Sequence, residues 1–301
     1  MKRFVERGLV VAALCILGCG GGGESAPAVG PTQFGVVSGN GRLVAVGVNG
    51  GVFTSDTGGG WDGQDSVVGG TLRGVGFGAD RFVAVGSRGS IVSSINGGRS
   101  WARAESPTEN VLQDVAFGGG RFVAVGDGGA LLVSLDGESW VTADSHTGED
   151  LLGVAWGNGL FVVVGDAGAL VTSRDAVEWT FEQFEIESDL ADVAYGGGYY
   201  LAVGSGGGVL RSEDGETWED VSIRNVKNIN TVLYELGIFV LMGNSGTSYT
   251  SRDGETFFSG GMTTPESFHA VTFHVNNFVG VGSNGIFRQS FDGRIWFGGV
   301  L

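Results

Sequence analysis

A chain of 301 residues with a formal net charge of −16 presents a surface that repels polyanions, so nucleic acid and anionic membrane surfaces are poor partners. Glycine is abundant at 59 residues, proline is scarce at 4, and 42% of the residues are apolar. That balance excludes a collagen-like or disordered chain and points to a packed core joined by many tight turns.

The first element in the chain is an export signal. MKRFVERG is followed by the apolar run LVVAALCILG and then Cys19. A basic start, a short apolar segment and a small residue before the cut form the pattern of a cleaved secretory leader. The run is shorter than the ~20 residues that a spanning helix needs. Ile16-Leu17-Gly18-Cys19 resembles the lipobox of bacterial lipoproteins. The resemblance implies that residues 1–18 are removed and that Cys19 becomes an acylated N-terminus. The body would then meet the membrane through its lipid anchor only, on the periplasmic or cell-surface side of the bacterial envelope. Loss of Lys2, Arg3, Arg7 and Glu6 with the leader takes the net charge from −16 to about −18. Both cysteines, Cys15 and Cys19, fall in this region, which leaves the body without a disulfide. Residues 19–32 carry no apolar period and read as a flexible tether with a root-mean-square reach of roughly 20 Å.

From residue 33 two markers recur together. The first is VAVG and its variants, ending at Gly47, Gly86, Gly126, Gly165, Gly204, Gly243 and Gly282. The second is an aromatic at Trp61, Trp101, Trp140, Trp179, Trp218, Phe257 and Trp296, spaced by 40 residues once and 39 five times. Residues 33–301 are therefore seven copies of one unit. In the fifth copy, Leu190, Val193 and Tyr195 lead into a glycine turn, and Tyr200 to Val203 is a nearly continuous apolar run. Val209 and Leu210 follow, then the hairpin dipeptide Asp214-Gly215, then Trp218. No segment shows a 3.6-residue period. The prediction is an all-β chain, a seven-bladed β-propeller of four-stranded antiparallel blades.

The segment SLDGESW at 134–140 combines acid, hydroxyl and indole groups, the residue types of many active sites, and it has six counterparts along the chain. Their occurrence once in every unit argues for a structural role, because a catalytic group is needed once per site. Asp56, Asn96, Asp136, Asp175, Asp214, Asp253 and Asp292 are expected to accept the amides of their own turns, with the following aromatic buried between blades. The spacing S-x-D-x-G-x-x-W resembles the Asp-box, or bacterial neuraminidase repeat. Thr54-x-Asp56-x-Gly58-x-x-Trp61 fits it fully, and the second copy carries Asn96 for the acid. The later five are one residue shorter, with Ala176 in place of glycine after Asp175 and Phe257 in place of tryptophan. The fuller pattern, V-A-aromatic-G followed by F-V-A-V-G-x-x-G and S-x-D-G-x-x-W, is similar to the photosystem II assembly-factor-like propellers over 33–301. That resemblance implies the fold and a protein partner.

A sialidase, the enzyme that the Asp-box resemblance brings to mind, needs an arginine cluster, an acidic proton donor and a Tyr/Glu pair at the channel mouth. Arg42, Arg81 and Arg121 fall instead in turns between the first two strands, and Arg99, Arg174, Arg252 and Arg294 fall beside the hairpins of the opposite face. Only Arg73, Arg88 and Arg224 approach the mouth. The three histidines, His146, His269 and His274, lack partners at metal-ligand spacing and read as solvated. VAVGxxG is followed by no helix, which removes a phosphate-binding reading. Phe77, Phe117, Trp156, Tyr195, Tyr234 and Phe273 recur with the period and read as inter-blade core. No catalytic residue, metal or cofactor is expected.

The least repetitive parts are the loops between blades, and they are acidic. Asp144, Glu149, Asp150, Glu185, Glu187 and Asp189, with Arg224, form the candidate binding rim for a cationic segment of an envelope protein. The reading is a monomeric, non-catalytic protein-binding or assembly scaffold. Its alternatives are a glycan-binding module at the channel mouth and a divergent sialidase-like glycosidase.

Overall fold

The computed structural model describes residues 30–299 except Glu187 and Thr263. Cys19, the leader and the tether up to residue 29 lie outside the described residues. Among the described residues the chain folds into seven antiparallel sheets in sequence order, and the inner strand of each packs against the next until the last meets the first. The protein is an all-β, seven-bladed β-propeller.

Blade one shows the plan: inner strand Gln33–Gly39, second strand Arg42–Gly47, third strand Val52–Ser55 and outer strand Asp62–Gln64. The later inner strands are Leu72–Gly78, Leu112–Gly118, Leu151–Gly157, Leu190–Gly196, Ile229–Glu235 and Phe268–His274. Blade seven has three strands, and a single bridge pair of Gln289 with Phe297 holds its outer position through bonds of 2.6 and 2.9 Å. This meander puts the turns from second to third strand, and the loops between blades, on one face, called upper here. The other turns lie on the lower face.

The second strands carry the core. Residues 43–46, 83–85 and 162–164 are fully buried, because a neighbouring blade covers each face of their sheet, which is why they read as unbroken apolar runs. Each valine and leucine among them contributes roughly 1.5–3 kcal/mol by leaving water. The buried residues form seven clusters, one between each pair of adjacent blades. The closing pair is included, with Val279 and Val281 of blade seven against Val36, Leu43 and Ala45 of blade one.

A second contact repeats between inner strands. Gly39, Gly78, Gly118, Gly157 and Gly196 end the first five, and a Cβ at each would overlap the ring of Phe77, Phe117, Trp156, Tyr195 or Tyr234 from the next blade. Each ring also packs on a second-strand aromatic of its own blade, as Phe77 does on Phe82 at 4.6 Å. At the closure the two sizes are exchanged. Strand register puts His274 at the glycine position of blade seven and Ser38 at the aromatic position of blade one. His274 Nδ1 lies 2.8 Å from Ser38 Oγ, and His274 Nε2 donates to the Asp56 carbonyl at 3.0 Å. The reading of His274 as solvated is therefore corrected: it is buried, filling the slot that a missing aromatic leaves.

The turn from third to outer strand has one construction in most blades. Ser134 Oγ accepts the Gly137 amide at 2.8 Å, and Asp136 Oδ1 accepts those of Glu138 and Ser139 at 2.8 and 2.7 Å. Asp175, Asp214, Asp253 and Asp292 each bind two amides in the same way, and Asn96 binds that of Ser100. These amides hold the carboxyls below the usual range, Asp136 at about 2. Asp56 departs from this scheme. The strand-end serine of blade one is Ser55, whose Oγ accepts the Gly58 amide at 2.8 Å, so Thr57 stands at the acid position. Asp56 faces Arg42 Nε at 3.1 Å instead. Trp101, Trp140, Trp179 and Trp218 are buried, while Trp61, Phe257 and Trp296 are partly so.

Two tests follow from this packing. Trp218→Ala removes a ring packed 6.3 Å from that of Tyr200 and is expected to cost ~3–5 kcal/mol through the cavity it leaves. Asp214→Ala exposes turn amides that water reaches, and is expected to cost about 1 kcal/mol. Denaturant titration of the two variants checks that order. At the closure, Ser38→Phe combined with His274→Gly restores the repeat arrangement. Its melting temperature should recover most of what either single substitution loses; simple addition of the two losses would contradict a size exchange.

Candidate binding site at the channel mouth

Every inner strand begins with a β-bulge. In each blade its first and third residues pair with adjacent residues of the second strand, which leaves the second residue unpaired. Bulges re-aim the side chain of the extra residue. Here those residues are Phe34, Arg73, Gln113, Leu152, Ala191, Asn230 and His269, and all seven line the upper end of the central channel. No two share a residue type, whereas the fourth position of the same strands is valine in all seven blades. The scaffold is uniform where blades pack and individual where they face the channel. The cavity is about 170 Å³.

Three of the seven reach the upper turn of their own blade. Gln113 Nε2 donates to Asp127 Oδ1 at 2.6 Å, and Asn230 Nδ2 donates to Asn244 Oδ1 at 2.9 Å and to the Phe268 carbonyl at 2.7 Å. His269 Nε2 lies 3.0 Å from Ser283 Oγ, with its ring 5.1 Å from that of Phe34. Burial holds the His269 imidazole below its ordinary value, so it is neutral at pH 7. The reading of His269 as solvated is thus corrected as well. Arg73 lies 5.6 Å from the Phe34 ring, and its Nε is buried with no hydrogen-bond partner. An unpaired charged donor in such a place costs on the order of 1–3 kcal/mol or more.

Asp114 and Asp192 occupy the third position of their inner strands, where the other blades have glycine, alanine or threonine. Each ties its blade to the following one. Asp114 Oδ2 accepts the Val154 amide at 3.0 Å and Asp192 Oδ2 that of Val232 at 2.9 Å. Burial raises both carboxyls despite these bonds, and with added repulsion from Asp114 the Asp192 carboxyl is pushed up to about 7.

The predicted rim separates into parts. Glu149, Asp150 and Asp189 gather with Asp127 and Asp166 above blades three to five, and their charges, after burial, raise the Asp166 carboxyl. Asp150 and Asp189 also bind the turn amides of Gly128 at 2.7 Å and Ala167 at 3.2 Å. Asp144 is paired with His146 at 3.3 Å. Glu185 and Arg224 are exposed without an ion pair among the described residues, and Glu187 lies outside them. Asp127 and Asp166 escaped sequence reasoning because they open the upper turns, inside the VAVG-x-x-G marker. Its last glycine has a plain structural reason: at Gly129 φ is 73° and a Cβ would strike the Thr147 carbonyl.

No family model and no curated protein matches the chain. Among solved structures it is similar to "YCF48 bound to D1 peptide", with a TM-score of 0.70 and 19% identity over 87% of this chain and 92% of that one. YCF48 from Cyanidioschyzon merolae gives 0.67 and 16%, covering 87% and 96%. The WD40 β-propeller domain of Doa1 gives 0.68 and 13%, covering 86% and 92%. At these identities the likeness is one of fold.

The raised carboxyl of Asp192 fixes a sign. Below about pH 4 both the folded and unfolded chains hold its proton. Between about 4 and 7 the unfolded chain releases the proton while the fold retains it, so this group's contribution falls as pH rises and levels off above 7. Asp192→Gly, matching the residue in blade four, is expected to flatten that decline in denaturation midpoints taken from pH 4 to 8. An unchanged slope would show that the carboxyl is ionised throughout.

Proposed function

We propose that this propeller is a non-catalytic docking scaffold of the bacterial envelope whose upper rim receives a cationic segment of a protein partner. The observation that carries the reading is an imbalance between the two faces. Three lower-face acids are matched by arginines, Asp56 by Arg42, Glu138 by Arg81 and Glu216 by Arg174, and the turn acids are satisfied by their own amides. The group of Asp127, Glu149, Asp150, Asp166 and Asp189 has no ion pair among the described residues, and after burial the charges of the other four raise the cost of ionising Asp166. A cationic segment relieves that repulsion and is steered toward it. A propeller of the same fold has been solved with a bound peptide, which supports a protein partner over a glycan.

The absence of catalysis in this proposal rests on the channel chemistry. Both oxygens of Asp114 and of Asp192 accept backbone amides, and among the described residues Arg73 is the one arginine lining the cavity. The turn motif is read as an Asp-box used for structure. Lipidation at Cys19 belongs to the same proposal. The chain enters the ring on the upper face, where Asn284 donates to Thr32 Oγ1 at 3.3 Å. A tether of about eleven residues from Cys19 would leave the rim roughly 20 Å from the membrane surface.

Fluorescence anisotropy with a labelled octalysine peptide tests the rim. Glu149→Gln with Asp166→Asn should weaken binding about tenfold, while Glu213→Gln with Glu255→Gln, which removes equal charge from the lower face, should change it little. Binding should also fall steeply as salt is raised. Equal effects of the two pairs would sink the reading, and turnover of fluorogenic sialosides would sink its non-catalytic part.

A further inference from the structure

We propose that the upper end of the central channel is a carboxylate-binding site built around Arg73. This goes beyond the rim and does not depend on it. Arg73 makes no hydrogen bond or ion pair among the described residues, although its Nε is buried in the channel wall. Guanidinium presents five N–H donors in a planar fork that matches a carboxylate, so the fork lacks the kind of partner it fits. The bulge in blade two aims this side chain into the cavity, over the face of Phe34.

The neighbours narrow the ligand. Asn230 spends both its amide N–H groups, on Asn244 and the Phe268 carbonyl, and Gln113 spends one of its two on Asp127, so each retains its oxygen as an acceptor. The site therefore offers one anion-binding fork beside acceptors suited to N–H donors. Asp114 and Asp192 share the cavity wall, and to the extent that they ionise they oppose a second negative charge, which disfavours phosphate and sulfate dianions. A volume of about 170 Å³ is below the ~300–1,000 Å³ of sites that enclose whole small molecules. It suits the end of a molecule: a monocarboxylate, or the terminal carboxylate of a chain with its adjoining amide.

Calorimetric titration of the full-length protein with acetate, glycine, triglycine and triglycine amide tests this and separates the sources. Binding of acetate or glycine points to small carboxylates. Binding of triglycine alone, lost on amidation, points to a chain terminus. Either result supports the site only when Arg73→Gln abolishes it and Arg73→Lys, which keeps the charge but loses the fork, weakens it at least tenfold. Glu149→Gln with Asp166→Asn should leave it intact, which distinguishes failure here from failure of the rim. If Arg73→Gln does not fold, the Arg73 Nε–H resonance of the wild-type protein takes its place and should shift on adding acetate or triglycine. No Arg73-dependent binding at tens of millimolar, or an unmoved resonance, overturns the proposal in favour of a hydrated arginine.

Discussion

Each second strand of this protein is covered on both sides, and almost everything else follows from that. A sheet whose middle strand is apolar on two faces has no stable state alone, so a blade is completed only by its neighbours, and the series has to come back on itself. Among the described residues the ring closes without lending a strand from one terminus to the other: inner strand Gln33–Gly39 and the bridge at Phe297 belong to different blades. Closure depends instead on side chains, on the cluster of Val279 and Val281 with Leu43 and on the pairing of His274 with Ser38. Five of the other contacts use a glycine and a ring. A polar pair at the seam adds direction to a contact that would otherwise be fixed by shape alone.

Such packing commits most of each repeat. Position four of the inner strand is buried valine or nearly so in every blade, the second strand is core, and the third strand ends in a hydrogen-bonded turn. The residues left over lie at the bulge, in the upper turn, in the loop between blades, on the outer strands and at the tips of the lower turns, where Ile95, Leu135 and Ile295 are exposed. The upper face and the channel mouth are among the places where a substitution disturbs neither sheet hydrogen bonds nor inter-blade clusters, which is why the proposed binding sites are located there.

Much of this was legible in the sequence, and the illegible parts share a cause. The count of blades and their strands followed from two markers with one period, and those markers are the packing residues themselves. The bulge was not legible, because it is a property of pairing between two strands and leaves no composition signal in either. A signal did exist: seven different residues, from Phe34 to His269, stand at one position of an otherwise regular repeat. The frame of the first hairpin motif was misread for a related reason. Thr54 and Asp56 match a spacing, but strand register makes Ser55 the turn serine and frees Asp56 for Arg42. Buried His274 was hidden because only the closure of the ring shows what it faces.

The rim and the channel differ in how solvent treats them, and that difference assigns them separate work. Rim carboxylates act through water, where charges beyond roughly 8 Å are screened at physiological ionic strength. They can draw a cationic segment toward blades three to five, but they hold it weakly and without geometric choice. Arg73 sits where screening is poor and direction is fixed by the bulge, so in the proposed site it would discriminate at short range and contribute little to capture. A ligand with positive charge along its length and a carboxylate at its end would meet both in order, first the rim and then the fork. A ligand lacking the carboxylate would stop at the rim, where salt releases it; one lacking the cations would reach Arg73 only against the field of the rim. If both proposals hold, the asymmetry of the upper face would make it a filter of two unlike parts, one long-ranged and indifferent to shape, the other local and exacting.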